Sequence, residues 1–203
     1  MSDIKTIEGV DVRGKRVIVR VDFNVPIKDG VVSDDTRIRA ALPTIEYLAS
    51  NGAKVILMSH LGRPAGEGFE EKFTLAPAAA RLGELIEAKV SFADDTVGAD
   101  ARAKAAALNE GEILVLENLR FDKREKKNDA SFCEELASLA DIYVNDAFGT
   151  AHRAHASTAG AAALLPSYAG FLLAGEVATL TGMLDAPNSW PSWADRRSPT
   201  RWA

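Results

Sequence analysis

The chain has 203 residues, of which 47% are hydrophobic and 26% are charged. These proportions are ordinary for a globular protein and exclude a wholly disordered chain, while the length suits one large domain or a domain plus part of another. The formal net charge of −5 makes the chain as a whole a poor binder of DNA or RNA, so any anion that it binds requires a local cluster of basic residues.

Apolar runs and helical patterns alternate along the chain. The apolar runs predict buried strands at 16–23, 54–58, 90–92, 112–116 and 142–144. Between them, apolar residues at helical spacing predict helices at 36–51, 74–87, 99–108 and 131–140. Such alternation predicts an α/β fold with a mainly parallel sheet and right-handed crossovers.

The first predicted helix, 36–51, has recognisable ends. Asp34 or Asp35 is expected to cap its start, and Gly52 is expected to end it. Pro43 either lies in the first turn or kinks the helix, because proline lacks the N–H group that a helix interior uses.

The sequence contains no feature of a membrane protein. No apolar run reaches the roughly 18 residues of a transmembrane helix, and the N-terminal residues lack an apolar signal core. Cys133 is the single cysteine, so no disulfide can form within the chain, and a buried, unreactive thiol is the simplest interpretation. We therefore expect a cytoplasmic protein.

Polar residues follow the predicted strands at their carboxyl ends, which is the edge at which open α/β sheets bind ligands. They lie in four segments, Asp22–Asn24, Ser59–Pro64, Glu117–Arg120 and Asn145–Gly149. Arg63, Arg120 and Arg153 lie on or just beyond these loops. Arg37 lies at the start of the first helix. Because the planar fork of arginine fits carboxylate and phosphate oxygens, this pattern predicts an anion-binding site.

Several of these residues allow more than one interpretation. Each arginine alone is commonly a solvated surface residue, and only the placement at successive strand ends favours a shared site. Asp22 and Asn24 form a candidate pair for hydroxyl and carboxylate groups, or a turn ahead of Pro26. His60 is a charged anion binder, a neutral donor or a structural loop residue.

Two further segments favour structural interpretations. His152 and His155 have a spacing that would place both on one helical face, as in a metal site, but no third ligand is apparent. The mixed charges of 122–129 predict a solvated loop and the start of a helix.

Four motifs together resemble the signatures of the phosphoglycerate kinase family. They are RVDFNVP at 20–26, SHLGRP at 59–64, LENLRF at 116–121 and NDAFGTAHR at 145–153. The order and spacing of the motifs are similar to those of the N-terminal domain of that family, over about residues 3 to 185. The resemblance implies a Rossmann-like three-layer α/β domain, the first of two domains joined by a helical hinge.

The resemblance also implies an activity, which is reversible phosphoryl transfer between 1,3-bisphosphoglycerate and ADP to give 3-phosphoglycerate and ATP in glycolysis. In the family, the N-terminal domain binds the phosphoglycerate and the C-terminal domain binds magnesium ATP or ADP. We therefore expect 3-phosphoglycerate or 1,3-bisphosphoglycerate as the small-molecule partner. We expect no nucleic-acid or membrane partner, a monomer, and neither a nucleotide nor a metal bound to this chain.

By the same resemblance, the substrate-binding residues are Asp22, Phe23, Asn24, Arg37, His60, Leu61, Gly62, Arg63, Arg120 and Arg153. Arg37, Arg120 and Arg153 match the basic patch around the substrate phosphate. Arg37 is also the expected catalytic residue, because its counterpart in the family supports the transferring phosphoryl group.

We expect three parts in the chain. Residues 1–170 form the 3-phosphoglycerate-binding domain, 171–185 begin an interdomain hinge helix, and 186–203 form an aberrant, disordered tail. The tail holds all three tryptophans and no lysine. Its codons permit a shifted frame that reads Gly-Gly-Ser-Lys-Val-Ser-Asp-Lys, which resembles the first nucleotide-domain motif of the family. Our hypothesis is a frameshift near Ala186, and a divergent tail is the alternative.

We expect the chain alone to bind 3-phosphoglycerate weakly and to turn over negligibly. Two other classes of function stay open. One is a non-catalytic module that binds a phosphorylated ligand with the same basic cluster. The other is a structural or folding-defective fragment without a ligand.

Overall fold

The computed structural model describes residues 4–185, and the expected tail at 186–203 lies outside the described residues. Six strands form one parallel sheet: β1 Arg16–Arg20, β4 Lys54–Met58, β5 Val90–Phe92, β6 Ile113–Val115, β7 Ile142–Asn145 and β8 Ser167–Ala169. The strand order is β5-β6-β4-β1-β7-β8, which places β1 in the interior of the sheet. Two short strands, β2 Ile27–Lys28 and β3 Val31–Val32, pair antiparallel in a separate hairpin.

Helices connect most of the strands. They are α1 Thr36–Ser50, α2 Ala76–Leu85, α3 Ala99–Ala107, α4 Arg124–Lys127, α5 Ala130–Ser138, α6 Phe148–Ala151, α7 Ala161–Leu164 and α8 Phe171–Asp185. Short 3-10 helices lie at Glu71–Phe73 and Leu119–Phe121, and a π-helix lies at Ala156–Gly160. Of the helices within residues 4–185, none combines the length and the apolar character that crossing a bilayer requires.

Helices cover both faces of the sheet, because successive residues of a strand point to opposite sides. On one face, Val17 and Val19 of β1 lie in a buried cluster with Ile45 of α1 and Leu82 of α2. On the other face, Ile18 lies in a cluster with residues of α3, α5 and α7. These three layers confirm the predicted α/β fold with its mainly parallel sheet.

All five predicted strands are present, and the four predicted helices have ends that differ from the prediction by at most two residues. The first strand ends at Arg20 rather than at residue 23. The β2–β3 hairpin and β8 were not predicted, because strands of two or three residues carry too little apolar pattern to recognise.

Asp34, and not Asp35, supplies the hydrogen bonds at the start of α1. Asp34 Oδ1 accepts from the backbone N and the hydroxyl of Thr36, at 2.9 and 2.6 Å. The Asp35 carboxylate instead accepts from Arg81, with Nη2 to Oδ2 at 2.7 Å. Pro43 lies in the interior of α1 rather than in its first turn.

Helix α8 is fastened to the sheet by a buried carboxylate just beyond β7. Asp146 is fully buried, and its Oδ1 accepts from the backbone N of Leu172 at 2.9 Å and of Leu173 at 3.3 Å. An acidic group at this end of a helix also complements the helix dipole. Gly170 lies so close to the carboxylate that an added Cβ would overlap Asp146 Oδ1. The expected helix at 171–185 is therefore present, while its role as a hinge stays a prediction.

Gly170 and Gly175 make a matched pair for testing this anchor. We expect Gly170→Ala to lower the free energy of unfolding by about 1–3 kcal/mol, because the new methyl group overpacks against Asp146. We expect Gly175→Ala to raise it by about 1 kcal/mol, because nothing lies within 4 Å of an added Cβ and alanine favours the helix. Urea unfolding of both variants measures the difference, and equal effects would contradict the anchoring role of Asp146.

Candidate anion-binding site

Four loops meet at the carboxyl edge of the sheet, beyond β1, β4, β6 and β7. The strand register pairs Arg20 with Met58 on one side and with Asn145 on the other. The segments that follow these residues therefore leave the sheet at the same level. This arrangement makes neighbours of segments that are far apart in the sequence.

The loop after β4 is held through both polar atoms of the Gly62 backbone. Gly62 N donates to Asn24 Oδ1 at 2.9 Å, and Gly62 O accepts from Arg120 Nη1 at 2.6 Å. Gly62 has a φ of +62°, in the left-handed region that favours glycine, and a Cβ there would collide with the ring of Phe73. Three of the predicted substrate-binding residues are thus in direct contact.

The expected catalytic residue, Arg37, forms an ion pair with Asp22. Arg37 Nη1 donates to Asp22 Oδ2 at 2.6 Å, and Asp22 Oδ1 accepts from Asn24 N at 3.3 Å. The Arg37 side chain is 52% exposed. Its Nε and Nη2 make no hydrogen bond within residues 4–185, so two sides of its donor fork remain available to a ligand.

Arg120 lies among other arginines without an acidic partner. It is 7% exposed, and its Nε is a buried donor that has no hydrogen-bond partner in the described part of the chain. Burial lowers the pKa of Arg120, the charges of Arg153, Arg20 and Arg63 lower it further, and the charge of Glu125 partly offsets these effects. No carboxylate of residues 4–185 lies within 4.0 Å of these guanidinium groups. A buried donor beside several guanidinium groups that have no direct carboxylate partner fits an anion with several oxygens, such as phosphate.

Arg20 is a member of this cluster that the sequence analysis did not select. It ends β1, is 1% exposed, and donates from Nη1 to the Val21 carbonyl at 2.6 Å. Its Nη2 lies 2.9 Å from His60 Nδ1. The signal was a charged residue at the end of an otherwise apolar strand, which is expensive to bury and therefore indicates a specific partner.

His60 is a neutral ring in this arrangement. A guanidinium group only donates hydrogen bonds, so His60 Nδ1 must accept from Arg20 and the ring proton must be on Nε2. Burial, followed by the charges of Arg20 and Arg120, lowers the pKa of His60 from 6.5 to about 2. Of the interpretations open for His60, the geometry therefore disfavours the charged anion binder and favours the neutral donor.

Asn118, which the sequence analysis did not select either, connects two loops of the candidate site through hydrogen bonds. It is fully buried, its Oδ1 accepts from Leu61 N at 3.2 Å and from Arg120 N at 3.0 Å, and its Nδ2 donates to Leu61 O at 2.8 Å. The side chains of Leu61 and Phe23 both lie in the hydrophobic core. These two predicted site residues thus contribute packing, and their side chains are not placed at the ligand-facing surface.

The remaining candidates are two histidines, the cysteine and the charged segment 122–129. His152 is exposed, and His155 lies 3.8 Å from Glu125. Within residues 4–185, no three His, Cys, Asp or Glu side chains are grouped as a metal site requires. Cys133 is buried, as expected, and burial raises the pKa of its thiol. Glu125 is only 1% exposed, although the segment 122–129 was expected to be a solvated loop and the start of a helix.

The chain matches a family model described as phosphoglycerate kinase over residues 7–192. Among curated proteins, it is 58% identical over 181 residues to the phosphoglycerate kinase of Leptospira biflexa serovar Patoc. That match covers 89% of this chain and 46% of the relative. The chain therefore spans about half the length of the curated relatives it matches.

Solved structures give the same picture. The phosphoglycerate kinase of Coxiella burnetii superposes with a TM-score of 0.82 at 40% identity, and the match covers 92% of this chain and 46% of that one. The phosphoglycerate kinase of Pyrococcus horikoshii OT3 superposes with a TM-score of 0.80 at 37% identity, with 92% and 47% covered. The Rossmann-like fold expected from the motifs is thereby confirmed.

The neutral state of His60 predicts how acid affects stability. Below the ordinary pKa of 6.5, the unfolded chain binds a proton at His60 that the folded chain does not bind, so folding becomes less favourable as the pH falls. From pH 7 to pH 5, this difference costs about 2 kcal/mol of the free energy of unfolding.

Replacement of His60 by glutamine, which can still accept from Arg20, is expected to remove that part of the pH dependence. Replacement of the exposed His152 by glutamine is the control and is expected to leave the contribution of His60 in place. Urea unfolding at pH 7 and pH 5 measures both variants. A wild-type pH dependence retained in His60→Gln would contradict the assignment.

Proposed function

Since the chain belongs to the phosphoglycerate kinase family, we propose that its basic site binds 3-phosphoglycerate or 1,3-bisphosphoglycerate. The observation that carries this proposal is Arg120 Nε, a buried donor without a partner among the described residues, beside Arg20, Arg63 and Arg153. A phosphate group supplies several oxygens and a direct negative partner, which these guanidinium groups lack among the described residues. The acidic net charge of the chain makes such a local cluster the natural place for an anionic ligand.

Each side of the site supports a different part of the ligand. Arg63, Arg120 and Arg153 are assigned to the phosphate that is not transferred, and the Nε2–H of His60 is assigned to an oxygen of the ligand. Asn24 and Asp22 are suited to the hydroxyl and carboxyl end, because a carboxylate and an amide together offer acceptors and donors. Gly62 permits a close approach of the backbone to the ligand.

Arg37 is assigned to the reacting end. Phosphoryl transfer depends on positioning and on neutralising charge more than on covalent chemistry by the protein. The Nε and Nη2 groups of Arg37, which make no hydrogen bond within residues 4–185, are suited to meet charge on a transferring phosphoryl group, while Asp22 binds Nη1 of the guanidinium. In this proposal, Asp22 positions Arg37 as well as contacting the ligand.

In the family, magnesium ATP or ADP is bound by the C-terminal domain, and the four motifs of this chain match the N-terminal domain. Within residues 4–185, no three His, Cys, Asp or Glu side chains are grouped as a metal site requires. No step is therefore derived through the nucleotide. We assign residues 1–170 to phosphoglycerate binding and α8 to the start of the connection toward a nucleotide-binding part, as in the family.

A second candidate function is a module that binds the phosphorylated ligand without catalysis. Such a module requires only the cluster around Arg120 and does not require Arg37, whose Nη1 is paired with Asp22. The two candidates share the anion site and differ in whether Arg37 works in catalysis. Arg37→Ala in a reconstructed full-length protein separates them, because a catalytic role requires a large loss of turnover and a binding role requires only weaker affinity.

Ligand binding is tested with a charge-matched pair of substitutions. We expect millimolar 3-phosphoglycerate to raise the Tm of the chain, because a ligand of the native state stabilises it. We expect Arg120→Ala to weaken binding about 10- to 100-fold, as befits the loss of a charge-assisted hydrogen bond. The control is Arg13→Ala, because the Arg13 side chain is 78% exposed and precedes β1, at the opposite edge of the sheet. Equal affinities for the two variants in titration calorimetry would contradict the proposal.

Catalysis is tested separately by a coupled assay of the purified chain with 3-phosphoglycerate and magnesium ATP. We expect no turnover above background, although kinases commonly reach about 1–100 per second. Turnover in that range would refute the expected inactivity of the chain alone. Absence of turnover together with specific 3-phosphoglycerate binding would support the proposal that this chain binds the phosphoglycerate but does not turn over alone.

A further inference from the structure

A chain of hydrogen bonds between buried side chains runs behind the anion site from Glu125 to His60. Glu125 Oε1 accepts from Ser157 Oγ at 2.6 Å, and Ser157 Oγ accepts from Arg20 Nε at 3.0 Å. Arg20 Nη2 then donates to His60 Nδ1 at 2.9 Å. The four residues come from α4, the π-helix, β1 and the loop after β4, so no local sequence pattern connects them.

Arg20 and Glu125 are the two charged residues in this series of hydrogen bonds, and each offsets the cost of burying the other. Arg20 and Glu125 are each 1% exposed. Burial lowers the pKa of Arg20 and raises the pKa of Glu125, and the opposite charge of the partner offsets both effects. They make no direct ion pair, because the Ser157 hydroxyl lies between them. Ser157 therefore transmits the position of the carboxylate to the guanidinium.

The direction of each hydrogen bond follows from the chemistry of the groups. Ser157 has one hydroxyl proton, which it donates to Glu125, and its lone pair accepts from Arg20. Ser157 N also donates to Glu125 Oε2 at 3.0 Å, so both carboxylate oxygens are used. With Nε held by Ser157 and Nη1 held by Val21 O, the Arg20 fork can present Nη2 to His60 in one orientation only.

The π-helix explains how one serine reaches the carboxylate twice. Residues Ala156–Gly160 form a π-turn, a rare geometry that is found frequently at functional sites. Thr158 closes this turn by accepting from His155 N at 3.1 Å. The turn directs both the N–H and the hydroxyl of Ser157 at Glu125. The π-helix lies directly after the segment that carries Arg153, so it is also adjacent to a second arginine of the candidate site.

We propose that Glu125 and Ser157 are positioning residues that act through Arg20 to hold His60 as its Nε2–H tautomer, ready to donate to a phosphoglycerate oxygen. His60 Nε2 makes no hydrogen bond within residues 4–185, so this donor is unoccupied by the described protein groups. The identity of the ligand rests on the proposed function. The tautomer itself rests on the hydrogen-bond geometry alone.

The first measurement is the tautomer of His60 in the wild-type chain, read from the 15N shifts of the imidazole nitrogens. The chain has three histidines, and the spectrum of His60→Gln assigns the His60 signals. We expect an unprotonated Nδ1 and a protonated Nε2 at pH 7. A protonated Nδ1 would overturn the proposal whatever the variants do.

The second measurement compares Ser157→Ala with Ser167→Ala. Ser157→Ala removes the hydroxyl that joins Glu125 to Arg20, whereas the Ser167 hydroxyl donates to Ala162 O and makes no hydrogen bond to Glu125, Arg20 or His60. We expect Ser157→Ala to give mixed tautomers at His60 and to weaken 3-phosphoglycerate binding about tenfold, or about 1.4 kcal/mol. An unchanged tautomer and an affinity equal to that of Ser167→Ala would overturn the proposal.

Two safeguards keep the test decisive. If Ser157→Ala does not fold, Glu125→Gln keeps the size of the side chain, removes its charge, and must show the same loss of tautomer order. Ser157→Thr retains the hydroxyl and is therefore expected to show the single His60 tautomer of the wild-type chain. If the wild-type chain does not bind 3-phosphoglycerate, the proposed function fails, while the tautomer measurements still decide whether Glu125 and Ser157 position His60.

Discussion

A full positive charge is buried at the end of the central strand of the sheet. Arg20 is in contact with the Ser157 hydroxyl, the Val21 carbonyl and the His60 ring, so it joins segments that are far apart in the sequence. Burying a guanidinium is unfavourable unless its donors are satisfied and its charge is balanced. The position of Glu125 in α4, the π-turn around Ser157 and the neutral state of His60 all meet that requirement. The candidate anion-binding site lies next to this buried charge.

Two other buried polar side chains, which follow neighbouring strands, also supply hydrogen bonds to the segments around them. Asn118 satisfies the backbone of the loop after β4 and also fixes Arg120, and Asp146 satisfies the first turn of α8. In each case, a polar residue directly beyond a strand replaces backbone hydrogen bonds that an irregular segment cannot make for itself. The loops at this edge are therefore held by side chains from the sheet, which gives the exposed arginines a rigid support.

Much of the architecture was predictable from the amino-acid sequence, because buried parallel strands and amphipathic helices leave strong periodic patterns. The gathering of Arg63, Arg120 and Arg153 was predictable as well, since the carboxyl ends of parallel strands share one edge. The partners of Glu125 were not predictable, because α4 and the π-turn meet only in the folded chain and a charged segment is usually solvated. The protonation of His60 likewise depends on Arg20, which lies 40 residues away.

The uncharged ring of His60 leaves arginines as the source of positive charge in the cluster. A guanidinium does not lose its proton at physiological pH, so the positive charge that these arginines supply stays constant across that pH range. A phosphate monoester, in contrast, gains its second negative charge at a pKa near 6. For the phosphorylated ligand that we propose, these arginines therefore attract the dianion more strongly than the monoanion.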